Sequence, residues 1–128
     1  MKKQPIVTPD AGRPGGPYAH AVRAGDFLFL SGATPNRPDG SLVEGPFGQQ
    51  ARATFENLAK VAESGGGSLQ DAVRVGVYLR DLGDFAEMNE LFAEYFGDRS
   101  AARTTLQADL PGFAIEVDAV LYSPLEQE

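Results

Sequence analysis

The order of hydrophobic periods along the chain predicts an α+β fold, a mixed β-sheet with two helices on one face. Three observations point there. Apolar runs of strand length recur near residues 18–31, 73–80 and 103–122, two segments of helical period lie between them, and Gly and Pro break the chain into short elements. The 128 residues fit one domain, residues 1–128, with no room for separate catalytic and regulatory modules. At 42% hydrophobic and 23% charged, the chain can bury a substantial core, which excludes disorder as its default state. Fifteen Gly and nine Pro argue against a long bundle or coiled coil.

After a Pro- and Gly-rich stretch over 5–17, Tyr18 to Arg23 and Phe27 to Ser31 read as strands joined by Ala24-Gly25-Asp26, a hairpin signal. Phe27-Leu28-Phe29-Leu30 is apolar without alternation, so this strand is expected to be covered on both faces. A loop over 35–46 ends at Gly45 and Pro46, which suit the N-cap and first position of a helix. Ala51, Phe55, Leu58 and Ala62 then recur at helical spacing until Gly65-Gly66-Gly67 stops it.

Val73, Val75, Val77 and Leu79 alternate with Arg74, Gly76, Tyr78 and Arg80, the period of a strand with one apolar face. Asp84 and Glu87 have the spacing of a capping box, and Phe85, Met88, Phe92 and Tyr95 mark the buried stripe of a second helix ending at Gly97. Two strands close the chain. In the first, Arg103, Thr105 and Gln107 face away from Thr104, Leu106 and Ala108; in the second, Glu116 and Asp118 face away from Ile115, Val117, Ala119 and Leu121. With both helices on one face, the other face, including part of the Phe27 to Leu30 run, is expected to need a partner subunit.

A net charge of −7 and a pI near 4.6 set this surface against a polyphosphate backbone, whose binding is driven by Lys and Arg displacing counterions. The eight arginines are scattered and form no basic stripe, so nucleic acid is not expected as a partner. The absence of Cys removes disulfides and thiolate nucleophiles, and with His20 as the sole imidazole no metal site is expected. Gln4, Pro5, Thr8, Pro9 and Asp10 follow Lys2 and Lys3 where an export signal would have an apolar core, and no run approaches the roughly 18 apolar residues of a membrane span. The expectation is a cytoplasmic protein that does not engage a membrane.

Most familiar catalytic arrangements fail. A triad built on His20 lacks a Gly-x-Ser-x-Gly elbow, and Gly65-Gly66-Gly67 trails a helix where a phosphate loop would precede one. Arg103 begins a strand after a short link, where a guanidinium can grip a planar carboxylate through two parallel hydrogen bonds; the plain alternative is an ion pair with a nearby acid. Glu116, placed on the neighbouring strand, either orients a water or is that ion-pair partner. Tyr18 is either a ligand contact or a packing residue, Ser31 caps a turn before Gly32 or lines a site, and Asn89 is an ordinary helix amide unless something approaches it. His20 is read as a structural or surface residue rather than a proton shuttle and left outside the site.

At this point the chain shows a resemblance. Gly16-Pro17-Tyr18-Ala19-His20-Ala21-Val22, Phe29-Leu30-Ser31-Gly32, Asp81-Leu82 with Asp84-Phe85 and Asn89, Ala102-Arg103-Thr104, Leu110-Pro111 and Ile115-Glu116-Val117-Asp118-Ala119 together are similar to the Rid family, the reactive intermediate deaminases, also called YjgF-like or L-PSP endoribonuclease-like. The match runs in order over nearly the whole chain and includes Gln50 and Asn57. The resemblance implies a chorismate-mutase-like (YjgF-like) fold, a homotrimer with sheets around a barrel-like core, and ligand clefts at subunit interfaces. It also implies hydrolysis of 2-imino acids to 2-keto acids and ammonia without metal or cofactor.

By the same resemblance Arg103 would clamp the substrate carboxylate and Glu116 would position the attacking water, with Tyr18, Ser31, Gly32 and Asn89 lining the cleft. Thr105 stands where the family often has Cys, a change in the lining that bears on pocket size and substrate preference, and Ala101 stands where it often has Pro, which removes a φ constraint before Arg103. The site is expected to be shared, with Arg103 and Glu116 from one subunit and Tyr18 from its neighbour. The alternatives are a noncatalytic trimer that binds small carboxylates or partner proteins, and an endoribonuclease, which the acidic surface disfavours.

Overall fold

The structure, a computed structural model, describes residues 2–125. Its strands are β1 (Gln4–Ile6), β2 (Ala21–Ala24), β3 (Phe27–Ala33), β4 (Ala72–Leu79), β5 (Ala102–Gln107) and β6 (Ile115–Tyr122), and its helices are α1 (Phe47–Ser64) and α2 (Phe85–Phe96). They form one six-stranded sheet in the order β1-β2-β3-β6-β4-β5. Neighbours are antiparallel except β4 and β5, which are parallel because α2 carries the chain back between them. The expected α+β sheet with two helices is therefore found. No helix among the described residues is long and apolar enough to cross a membrane.

The core lies between the helices and one sheet face. Ala51, Phe55, Leu58 and Ala62 of α1 are buried as their spacing predicts, against Leu28 and Leu30 of β3, Val75 and Val77 of β4, and Val117 and Leu121 of β6. Removing Phe55, which meets Phe92, Tyr95 and Phe96 of α2, would leave a large hole, at a cost of about 3–5 kcal/mol.

Several local readings change. Leu28 is fully buried while Phe27 and Phe29 are 39% and 49% exposed, so within one chain β3 alternates and is covered on one face only. The uniform apolar run hid this, because Phe27 and Phe29 gather with Tyr122 on the sheet face that carries no helix. Val73 is exposed because a β-bulge between Ala72 and Arg74 shifts it out of the alternation. Helix α1 starts at Phe47, with Pro46 as its extended N-cap, one residue later than expected.

The Asp84 carboxylate caps nothing: its backbone is already near-helical, leaving a 3₁₀ turn (Leu82–Asp84) that is capped by Asp81 through the Gly83 N–H. A true capping box joins Ser68 and Asp71 instead. Of the expected α2 stripe, Met88 is buried, while Phe85 is exposed and the deepest other positions are Leu91 and Phe96. The strands of Arg103 and Glu116 are not neighbours, since β4 lies between them.

Candidate active site

Glu116 sits mid-strand on β6, in register with Tyr78 of β4, on the face opposite the buried Ile115 and Val117. That face carries Gly32 of β3, and the absence of a side chain there is required, because a Cβ would collide with the Glu116 carboxylate. Burial first, and the Asp118 carboxylate second, push the Glu116 pKa above its ordinary value. Asp118 is itself engaged by the Tyr78 hydroxyl, which donates to Oδ2 at 3.1 Å. Glu116 thus faces open space with a raised proton affinity and no hydrogen-bond donor among the described residues bonded to it.

That space is a cleft of about 560 Å³ lined by Tyr18, Ser31, Gly32 and Glu116, together with His20, Asn57, Pro111 and Phe113. Its outer wall is the irregular stretch 11–18. The wall is tied down by buried polar groups. Asn57 of α1 accepts from the Gly12 N–H at 3.0 Å and donates to the Thr34 and Asn36 carbonyls at 2.9 and 2.7 Å. The Ser31 hydroxyl donates to the Ala19 carbonyl at 2.8 Å, so in this chain its hydrogen is spent on the wall. The Tyr18 hydroxyl accepts the Gly15 N–H at 3.0 Å while the residue remains half exposed at the rim.

Arg103 is elsewhere. It is paired in register with the buried Val75, so its side chain rises on the helix-covered face at the β5 edge. Its guanidinium carbon lies 4.7 Å from the Phe92 ring centroid and 5.6 Å from that of Phe85, with Nη1 3.6 Å from Met88 Sδ. All three partners come from α2, whose Asn89 shares their face one turn after Phe85. The ion pairs among the described residues are Arg52 with Glu94 and Arg99 with Asp98, so Arg103 has no acid beside it. Burial pushes its pKa down from the ordinary value with nothing to offset the shift. Two residues on, the buried Thr105 hydroxyl has no hydrogen-bond partner among the described residues.

The structure therefore gathers Tyr18, Ser31, Gly32 and Glu116 in one cleft and sets Arg103 apart from them, against the helix that carries Asn89, with Thr105 two residues further along β5. The expected grouping of Arg103 with Glu116 against Tyr18 is corrected: within one chain Glu116 lies with Tyr18. The alternative of an Arg103–Glu116 ion pair also falls, because the two residues leave the sheet on opposite faces. Sequence reasoning missed Asn57 as the hub of the wall and set aside His20, which lines the cleft. Of the expected α2 stripe, Phe92 packs on the core and also flanks Arg103, while Phe85 is exposed and flanks Arg103 only; their i, i+7 spacing suits core and cation bed alike.

Comparison with known proteins places the sequence and its fold. The family model described as Endoribonuclease L-PSP matches residues 8–122. A RutC family protein of Pyrococcus horikoshii is 43% identical over 123 residues, 94% of this chain and 98% of that one. A protein of Dermatophagoides farinae named 2-iminobutanoate/2-iminopropanoate deaminase is 34% identical over 122 residues, 93% of this chain and 95% of its own. The crystal structure of RidA from the Antarctic bacterium Psychrobacter sp. superposes with a TM-score of 0.86 at 36% identity, covering 93% of this chain and 98% of that one. With the match spanning both the cleft and the Arg103 strand, the chain belongs to the Rid family, the YjgF- and RutC-like proteins.

Proposed function

We propose that this chain is a hydrolytic deaminase that converts small 2-imino acids to 2-keto acids and ammonia, working as a homotrimer whose sites are shared between subunits. The observation that carries the reading is the state of Arg103: a partly buried guanidinium held between aromatic rings with no acid beside it, next to the orphaned Thr105 hydroxyl. A desolvated cation without a counter-ion is costly alone and is stabilised by an incoming carboxylate. The naming of a relative as an imine deaminase supports the same substrate class.

In this reading the substrate carboxylate pairs with Arg103, and its imine carbon is presented to the Glu116 cleft of the neighbouring subunit. Glu116, with its raised pKa, takes a proton from water as the oxygen attacks the imine carbon. With the imine nitrogen protonated, this gives a neutral carbinolamine; Glu116 passes its proton to that nitrogen, and the C–N bond breaks as the carbinolamine hydroxyl gives its own proton to Glu116, forming the carbonyl and releasing ammonia, which leaves as ammonium with that proton. Holding an already electrophilic carbon beside water, with the carboxylate neutralised, supplies most of the required help. The trimer is supported by the open aromatic face of Phe27, Phe29 and Tyr122 and by the separation of the two residue groups within one chain.

The test couples an amino-acid oxidase to the protein and follows imine decay. Faster decay with small aliphatic imino acids supports the reading, and no acceleration across several of them removes it. A second reading is a noncatalytic carboxylate binder, favoured by Arg103 alone; it predicts that Glu116→Gln leaves 2-keto acid binding intact and that the unaltered chain hydrolyses nothing.

A further inference from the structure

The wall over residues 11–18 brings Gly12, Arg13, Gly15 and Tyr18 to the cleft, yet it belongs to no helix or strand. It is fixed at its two ends. At the far end Ser31 holds it twice, its N–H donating to the His20 carbonyl at 2.9 Å and its hydroxyl to the Ala19 carbonyl. At the near end the His20 ring reaches back across the wall. Nε2 lies 2.8 Å from the Gly12 carbonyl, and Nδ1 accepts the Thr8 N–H at 3.2 Å. Asn57 grips the other side of Gly12, through its N–H.

These partners dictate the state of the ring. A carbonyl at Nε2 requires a proton there, and an N–H at Nδ1 requires a bare nitrogen, so only the neutral Nε2–H tautomer satisfies both. Proton uptake would set N–H against N–H at a residue only 8% exposed. The titratable and charged side chains that line the cleft with it are Glu116 from β6 and Arg13 and Tyr18 from the wall; α1 and the 34–40 loop bring none. Next to its Thr8 contact lies Asp10, whose backbone N–H meets the Thr8 hydroxyl.

We infer that His20 is a positioning residue: its neutral Nε2–H ring latches the 11–18 wall, and protonation of that ring unlatches the wall and weakens ligand binding in the cleft. The ligand used to test this rests on the deaminase reading; the latch itself does not. Because the chain has one His, its imidazole ¹⁵N and ring ¹H resonances are unambiguous.

Nuclear magnetic resonance should find the Nε2–H tautomer at neutral pH. As those resonances report protonation, the affinity for 2-oxobutanoate should fall about fivefold, the size of one lost hydrogen bond, and the Tyr18 ring resonances should shift in step. His20→Leu should bind weakly throughout. His20→Gln, whose planar amide offers one N–H and one carbonyl without titrating, should restore binding and abolish this pH step. The inference is overturned by an Nδ1–H or cationic ring at neutral pH, by a ring that stays neutral until the fold is lost, or by the same pH step in His20→Gln. A wild-type chain that binds no 2-oxobutanoate at any pH would strike the deaminase reading, leaving the Tyr18 resonances to judge the latch.

Discussion

Arg103 and Glu116 leave opposite faces of one sheet, Arg103 in register with the buried Val75 and Glu116 with Tyr78, with β4 between their strands. Within one chain the two side chains therefore meet different surfaces, so under the proposed function the clamp and the acid that serve one substrate come from different subunits. Phe85 and Phe92 offer their faces to the Arg103 cation, and apart from the Nη1 contact with Met88 Sδ its N–H groups have no hydrogen-bond partner among the described residues, which leaves them open to the carboxylate of the proposed reaction.

Arg103→Lys is expected to be nearly as damaging as Arg103→Ala. An ammonium is a point charge that cannot make two parallel bonds to a carboxylate or spread over a ring face. Both variants should lose roughly 10- to 150-fold in kcat/KM, the span of one charged hydrogen-bonded contact. A Lys variant that keeps most of the activity in the coupled imine assay would remove the clamp role.

Glu116→Gln should abolish hydrolysis while raising stability at neutral pH. The sign follows from the raised pKa of Glu116: its folded state holds a proton more tightly than the unfolded chain, so stability is fullest at low pH and falls as pH rises through the ordinary carboxylate range to the raised value. Gln removes that penalty, and with solvent screening the gain at neutral pH is under about 1 kcal/mol. Thermal melts should show the variant ahead at pH 7 and level with the wild type near pH 4. Equal melting at both pH values would deny the burial penalty.

Asn57→Ala should cost about 2–4 kcal/mol and loosen the cleft wall. It leaves the Gly12 N–H and the Asn36 carbonyl without the Asn57 amide, and takes one of two donors from the Thr34 carbonyl, which keeps the Asn36 N–H at 2.8 Å; buried groups stripped in this way are expensive. Urea unfolding measures the loss, and protection of the Gly12 amide from hydrogen exchange should fall more than that of Leu28 in the core. Uniform loss of protection would make Asn57 an ordinary packing residue.

The sheet with two helices was legible because Ala51, Phe55, Leu58 and Ala62 keep one period and β6 keeps another, and each period matches the face it buries. The site residues were nameable by resemblance, but their partition was not. Which face Arg103 takes depends on the parallel pairing of β5 with β4, a relation between strands some thirty residues apart that no local pattern encodes. His20 escaped for a related reason: its partners are the main-chain groups of Thr8 and Gly12, and a backbone N–H or carbonyl leaves no mark on the sequence.

The last prediction concerns how a complete site is assembled. If the clamp comes from one subunit and the acid from the next, chains carrying Arg103→Ala, strongly impaired alone, and chains carrying Glu116→Gln, inactive alone, should complement to well above either when unfolded together and refolded at equal ratio. Each interface then needs a Glu116→Gln chain on the Arg103 side and an Arg103→Ala chain on the Glu116 side, which random assembly provides at about one site in four. Tyr18→Ala distinguishes this from the earlier grouping: mixed with Arg103→Ala it should complement equally well, but mixed with Glu116→Gln it should not, because Tyr18 and Glu116 line one chain's cleft. Recovery in the Tyr18–Glu116 mixture, with trimers verified by light scattering, would place those two residues on different subunits and overturn the partition.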